Sequence, residues 1–129
     1  PRHMVGSDGI LAGTRPHPRA YGTFARYLGH YARQERVLTL EGAVARMTGR
    51  SAARLRLPDR GLLKVGYKAD LVLFNAGTVV DRATYETPKI PAAGFEYVWV
   101  GGVLTLKDGR RTPHLPGRAV RSKATKVRS

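Results

Sequence analysis

The chain has 129 residues, of which 42% are hydrophobic and 25% charged, the composition of one globular domain of ordinary size. It contains no cysteine, which excludes disulfides and thiolate metal sites and fits a reducing cytosol, the expected location. No apolar run approaches the roughly 18 residues that a membrane-spanning helix needs. Twenty-three Lys and Arg against nine Asp and Glu give a net charge of +14. Such a balance is the usual footprint of a nucleic-acid or anionic-surface binder. Here the arginines are scattered through every segment instead of gathered on one face, which argues against a specific nucleic-acid surface. The one basic run, Arg118, Arg121, Lys123, Lys126 and Arg128, reads as a solvated, disordered tail.

In chain order, Arg2 to Ser7 reads as a short strand ending in a Gly-Ser-Asp-Gly turn. Glycines and prolines make Asp8 to Arg19 a loop. A helix is predicted from Ala20 to Gln34, with Tyr21, Phe24, Leu28 and Tyr31 as its apolar face. Thr39 is an N-cap for a second helix whose apolar positions are Leu40, Ala43, Val44 and Met47, with Gly49 as its closing glycine. Ser51 offers a cap for a third short helix, "SAARLRL", stopped by Pro58. After Gly61 the pattern changes to strands: "ADLVLFN", then "FEYVWV" and "VLTL" joined at Gly101-Gly102, a dipeptide that accepts positive φ. Lys107-Asp108-Gly109 is a second turn. A lone opening strand and a small sheet at the tail make a poor closed fold, so the organisation suggests part of a larger domain.

Three residues carry candidate chemistry. Asp8 stands on a turn just past the opening strand, where a carboxylate can point into a cleft as at the C-terminal rim of a barrel. The competing reading is an Asp that bonds its own turn amides. Arg19, stiffened by Pro16 and Pro18, presents a fork that matches a carboxylate. His17 could be a ligand, a proton donor or a loop hydrogen-bonder. The four histidines show no H-x-H or H-E-x-x-H spacing, so no complete metal site is legible; Asp8 remains a candidate weak ligand.

Several stretches together resemble the C-terminal part of the N-acyl-D-amino-acid deacylases (D-aminoacylases) of the metal-dependent amidohydrolase superfamily. They are "MVGSDG", "RPHPRAYGTFARYLG", the run from "LTLEGAVARMTGR" to "GYKADLVLFN", "VVDRATYETP" and "VWVGGVLTLKDGRRT". "GYKADLVLF" marks the superfamily, and "GSDG" followed by "PHPRAYGTF" the narrower group. The resemblance implies an α/β fold: the last strand–helix unit of a (β/α)8 barrel in residues 1–60, and the C-terminal strands of a small β-sandwich in 61–117, with 118–129 a basic tail. In that family zinc turns bound water into hydroxide and polarises the amide carbonyl. Asp8 falls on the aspartate that takes the water's proton and passes it to the leaving amine. Arg19 falls on the arginine that grips the substrate's α-carboxylate, and His17 lies in the same substrate-binding motif. Gly42 and Gly101 replace an acidic residue and an asparagine usual in the family.

The expected activity is hydrolysis of N-acyl-D-amino acids to a carboxylate and a free D-amino acid. The family's zinc ligands come from earlier barrel strands, so the chain alone is expected to be inactive and to hold no zinc. Its partner would be the missing N-terminal barrel portion, or a second copy of itself. Alternatives are a hydantoinase- or dipeptidase-like activity, or a non-enzymatic basic binding module.

Overall fold

The structure, a computed structural model, describes residues 3–121. Lys123, Lys126 and Arg128 of the basic run lie outside the described residues, while Arg118 and Arg121 are exposed and in no regular element. No helix among the described residues is long and apolar enough to cross a membrane.

The predicted opening strand does not form: residues 3–10 hold no regular element. A strand is defined by its neighbours, and among the described residues this segment has none; its Val5 N–H instead donates to the Arg46 carbonyl at 3.3 Å. The first helix spans the predicted range in two parts. Helix α1, Arg19–Arg26, runs directly into a π-helix, Tyr27–Gln34, in which backbone N–H groups reach back five residues, as from Glu35 to His30 at 2.9 Å.

Its packed face keeps Leu28 of the expected one but otherwise differs. Phe24 and Tyr31 are exposed, and the buried residues are Gly22, Ala25, Leu28, Gly29 and Ala32. Aromatic spacing suggested one stripe, but the segment opposing the helix arrives as backbone and needs small residues to approach. A Cβ on Gly29 would lie 2.3 Å from the Val79 carbonyl oxygen. Arg33 closes the same contact by donating from one nitrogen to the carbonyls of Ala76 and Val79, at 2.9 and 2.8 Å.

Helix α2, Leu40–Met47, begins as expected, with the Thr39 hydroxyl accepting the Gly42 N–H at 3.0 Å. Gly49 does not close it. Helix α3, Gly49–Arg54, starts there, two residues before Ser51. The Ser51 hydroxyl is no cap; it donates to the Arg46 carbonyl at 2.9 Å. Gly49 sits close to neighbouring backbone, since a Cβ there would stand 3.2 Å from the Gly61 carbonyl oxygen.

The predicted strands form an antiparallel meander, β1 (Leu71–Phe74), β2 (Phe95–Val100), β3 (Val103–Lys107) and β4 (Arg110–Arg111), in sequence order. The fourth strand was not predicted because two arginines carry no strand pattern; it pairs only because the Asp108-Gly109 turn folds it back on β3. Gly101 and Gly102 take φ of +57° and +84°, the left-handed pair that a two-residue hairpin requires. That turn is stapled to the start of β1. Asp70 accepts the Gly101 N–H at 2.8 Å and pairs with Arg60, and the Ala69 carbonyl accepts the Gly102 N–H at 2.9 Å. The "KAD" stretch is therefore an architectural clasp.

Helices and sheet meet over a small core centred on Leu28, Ala43 and fully buried Val79, with Phe74 and Phe95 at its sheet-side margin. Val72 and Leu73 of β1 remain about half exposed, so the sheet keeps apolar surface uncovered by the described residues.

The second turn carries a titration. The Tyr97 hydroxyl donates to Asp108 at 2.7 Å, and that hydrogen bond, aided by the carboxylate's charge, holds the phenol above its usual range. Because the folded value is raised, the bond's contribution is complete below about pH 10. It is lost as pH climbs through the higher folded value. Absorbance at 295 nm should show one of the six tyrosines titrating late. Tyr97→Phe should remove that last step; an unchanged titration curve would contradict the assignment.

Candidate active site

The site is built where the loop meets the start of α1. Asp8 takes φ of +46°, a left-handed conformation that Asp tolerates better than most residues. Its turn does not use its carboxylate: the Gly9 N–H goes to the Ser7 hydroxyl, at 3.2 Å. Gly9 lets the turn sit directly on the helix, for a Cβ there would stand 2.8 Å from the Ala20 Cα. This close approach sets Asp8 opposite the first residue of α1. Asp8 Oδ2 and an Arg19 terminal nitrogen form an ion pair at 2.9 Å, with the Asp8 side chain 83% exposed and that of Arg19 43%. Two of the predicted site residues are thus brought together.

His17 joins them through the backbone. Its Nδ1 accepts the Arg19 N–H at 3.1 Å, filling a place usually taken by an Asx or hydroxyl side chain, since Pro18 at the N-cap has none. With Nδ1 accepting, the ring proton lies on Nε2, which donates to the Tyr85 hydroxyl at 3.0 Å. The two rings meet edge to face, with centroids 5.1 Å apart. His17 is therefore a hydrogen-bonder of loop and helix, one of the three roles open from sequence.

Tyr85 was missed in the sequence because it lies 68 residues from His17 and no spacing rule links them. Its turn is ordered by Thr84 and Thr87, whose hydroxyls meet at 3.0 Å while the Thr87 N–H donates to the Thr84 hydroxyl at 3.1 Å. The Thr84 side chain also holds the neighbouring Glu86 carboxyl below its usual range. Asp81 ties this segment to α1 through Arg26 at 3.2 Å; that bond and, secondarily, contact with Tyr31 raise the Arg26 pKa.

Among the described residues no three His, Cys, Asp or Glu side chains converge to hold a metal ion. The residues present do not fit a zinc site on their own. A shallow groove lies elsewhere, between β2, β3 and the segment from Arg111 to Gly117, and none of Asp8, His17 or Arg19 lines it.

A carboxylate and a guanidinium thus face each other across a proline-stiffened loop that no regular strand precedes among the described residues. The chain belongs to the amidohydrolase family, whose model matches residues 2–106. It is 48% identical over 122 residues to an N-acyl-D-glutamate deacylase of Alcaligenes xylosoxydans xylosoxydans, covering 95% of this chain and 25% of that protein. It is 49% identical over 117 residues to a D-aminoacylase of the same organism, covering 91% of this chain and 24% of the relative. The crystal structure of the N-acyl-D-glutamate deacylase of Bordetella bronchiseptica, complexed with zinc and a phosphonate mimic of the tetrahedral intermediate, superposes with a TM-score of 0.78 at 44% identity. That match covers 85% of this chain and 25% of the crystallised one. The chain thus spans about a quarter of the length of these relatives.

Proposed function

We propose that this chain is the C-terminal part of a zinc-dependent enzyme that hydrolyses N-acyl-D-amino acids to a carboxylate and a free D-amino acid. In this reading residues 1–60 supply the last strand–loop–helix unit of a (β/α)8 barrel, and 61–117 the closing strands of a small β-sandwich. The opening segment becomes a strand once barrel neighbours flank it. Zinc is held by ligands from the part of the enzyme that this chain does not span.

The observation that carries the reading is the Asp8–Arg19 pair at 2.9 Å. One group can move a proton and the other can bind a carboxylate, and the two are within one substrate's reach. Asp8 receives the proton of the attacking water and returns it to the leaving amine nitrogen. Arg19 binds the substrate α-carboxylate through its fork, which orients the stereocentre. The two roles require the pair to open when substrate arrives. Magnitude allows it: an ion pair this exposed stabilises by only about 0–1 kcal/mol, less than a buried bidentate contact with a substrate carboxylate.

Near-equal identity to a glutamate-directed deacylase and to a D-aminoacylase fits a sector that handles what such substrates share, the amide and the α-carboxylate. The test is hydrolysis of paired N-acetyl-D- and N-acetyl-L-amino acids by the full-length enzyme with zinc. The D-isomer is expected to react faster by about 10²-fold or more, since a carboxylate clamp leaves the wrong isomer's polar groups unpaired. Equal rates, or turnover only of hydantoins or dipeptides, would overturn the reading.

A further inference from the structure

Arg19 is held by more than its own loop. As the first residue of α1 it has a backbone N–H with no partner inside the helix, and the His17 ring nitrogen takes it at 3.1 Å. The ring can do so only while Nδ1 is unprotonated, and the proton on Nε2 is in turn held by the Tyr85 hydroxyl at 3.0 Å. Tyr85 is itself anchored by the Thr84–Thr87 turn, and its segment is pinned to α1 through Asp81 and Arg26. A continuous line of hydrogen bonds therefore runs from an irregular segment late in the chain to the backbone nitrogen of Arg19. Tyr85 is 69% exposed and contributes little to the core, so core packing does not explain this placement.

We propose that Tyr85 is a positioning residue for substrate carboxylate binding: through the neutral His17 ring it fixes the start of α1, and so the direction in which Arg19 presents its guanidinium. The inference rests on the reading of Arg19 as the carboxylate clamp. Tyr85 removes no proton and touches no reacting atom in this scheme. It fixes the tautomer and orientation of His17, as an outer hydrogen-bond partner orients a ligating imidazole.

The test uses the full-length zinc enzyme with N-acetyl-D-leucine and with N-acetyl-D-leucinamide, which lacks the carboxylate. Arg19→Lys is the reference: it should raise KM for the acid and leave KM for the amide nearly unchanged. Tyr85→Phe should raise KM for the acid about three- to ten-fold, the scale of one lost hydrogen bond, with kcat within about two-fold and the amide unaffected. His17→Ala should do at least as much, and the Tyr85→Phe/His17→Ala double variant no more than His17→Ala alone, because the two act in series. His17→Asn, whose side-chain oxygen can still accept the Arg19 N–H, should recover most of the loss and be insensitive to Tyr85→Phe. If Arg19→Lys changes the acid and the amide alike, the clamp reading fails and this inference with it. If Arg19→Lys behaves as stated while Tyr85→Phe leaves KM unchanged, affects both substrates equally, or adds fully to His17→Ala, the inference alone is overturned.

Discussion

Asp8→Asn is expected to lower kcat of the full-length enzyme by about 10²–10⁴-fold, the range that a positioned general acid–base contributes. Asn keeps the size of the side chain and can occupy the same left-handed turn, so the change removes the proton-carrying oxygen without disturbing the backbone. The turn is closed by Ser7 and Gly9 and not by Asp8, and the exposed ion pair that is lost contributes little, so unfolding should stay within about 1 kcal/mol of the parent enzyme. KM for the acid substrate should not rise, because freeing Arg19 from its partner at 2.9 Å leaves the guanidinium more available to the substrate. Steady-state kinetics beside a denaturation curve separates these effects. A variant that keeps more than about a tenth of parental kcat would show that Asp8 does not carry the proton.

Gly29→Ala is expected to have the largest effect on stability, a loss of about 3 kcal/mol at the upper end of overpacking costs. The added methyl would stand 2.3 Å from the carbonyl oxygen of Val79, a backbone atom, and so cannot be relieved by a rotamer change. Val79 is also held by other neighbours: its N–H donates to the Asn75 carbonyl at 2.9 Å. Gly94 approaches it closely, since a Cβ there would lie 2.5 Å from the Val79 Cα. Moving Val79 also strains the bonds that Arg33 makes to the Ala76 and Val79 carbonyls. Gly117→Ala, with nothing within 4 Å of the new methyl, is the matched control and should be neutral. The urea midpoint reports the difference. Equal midpoints for the two variants would mean that the helix does not pack on Val79 as described.

The same contact shows why part of this fold was legible in the sequence and part was not. The start of α2 needed only Thr39 and the amide of Gly42, three residues away. The hairpin needed only two adjacent glycines able to take positive φ. Both are local problems, solved by the stereochemistry of neighbouring residues, and both were predicted correctly. The packed face of the first helix was legible only in part: Leu28 is buried as expected, but Phe24 and Tyr31 keep helical spacing whether or not anything covers them. What packs there is an irregular strip around Val79, and backbone contact selects glycine and alanine, which hydrophobic periodicity does not register.

The candidate site divides along the same line. A turn with an Asp, a loop stiffened by prolines and an arginine at a helix start are written in one short stretch, so Asp8, His17 and Arg19 could be named from residue types and resemblance. The sequence by itself determined these groups, the Thr39 cap and the Gly101-Gly102 hairpin, because each depends on residues a few positions apart. Only the tertiary structure decided that Asp8 faces Arg19, that His17 caps the arginine's own amide, and that Tyr85 reaches His17 across 68 residues. It also left the opening segment without strand pairing. Pairing and long-range hydrogen bonds exist only when distant segments are brought to the same place, and that depends on the packing of the whole chain.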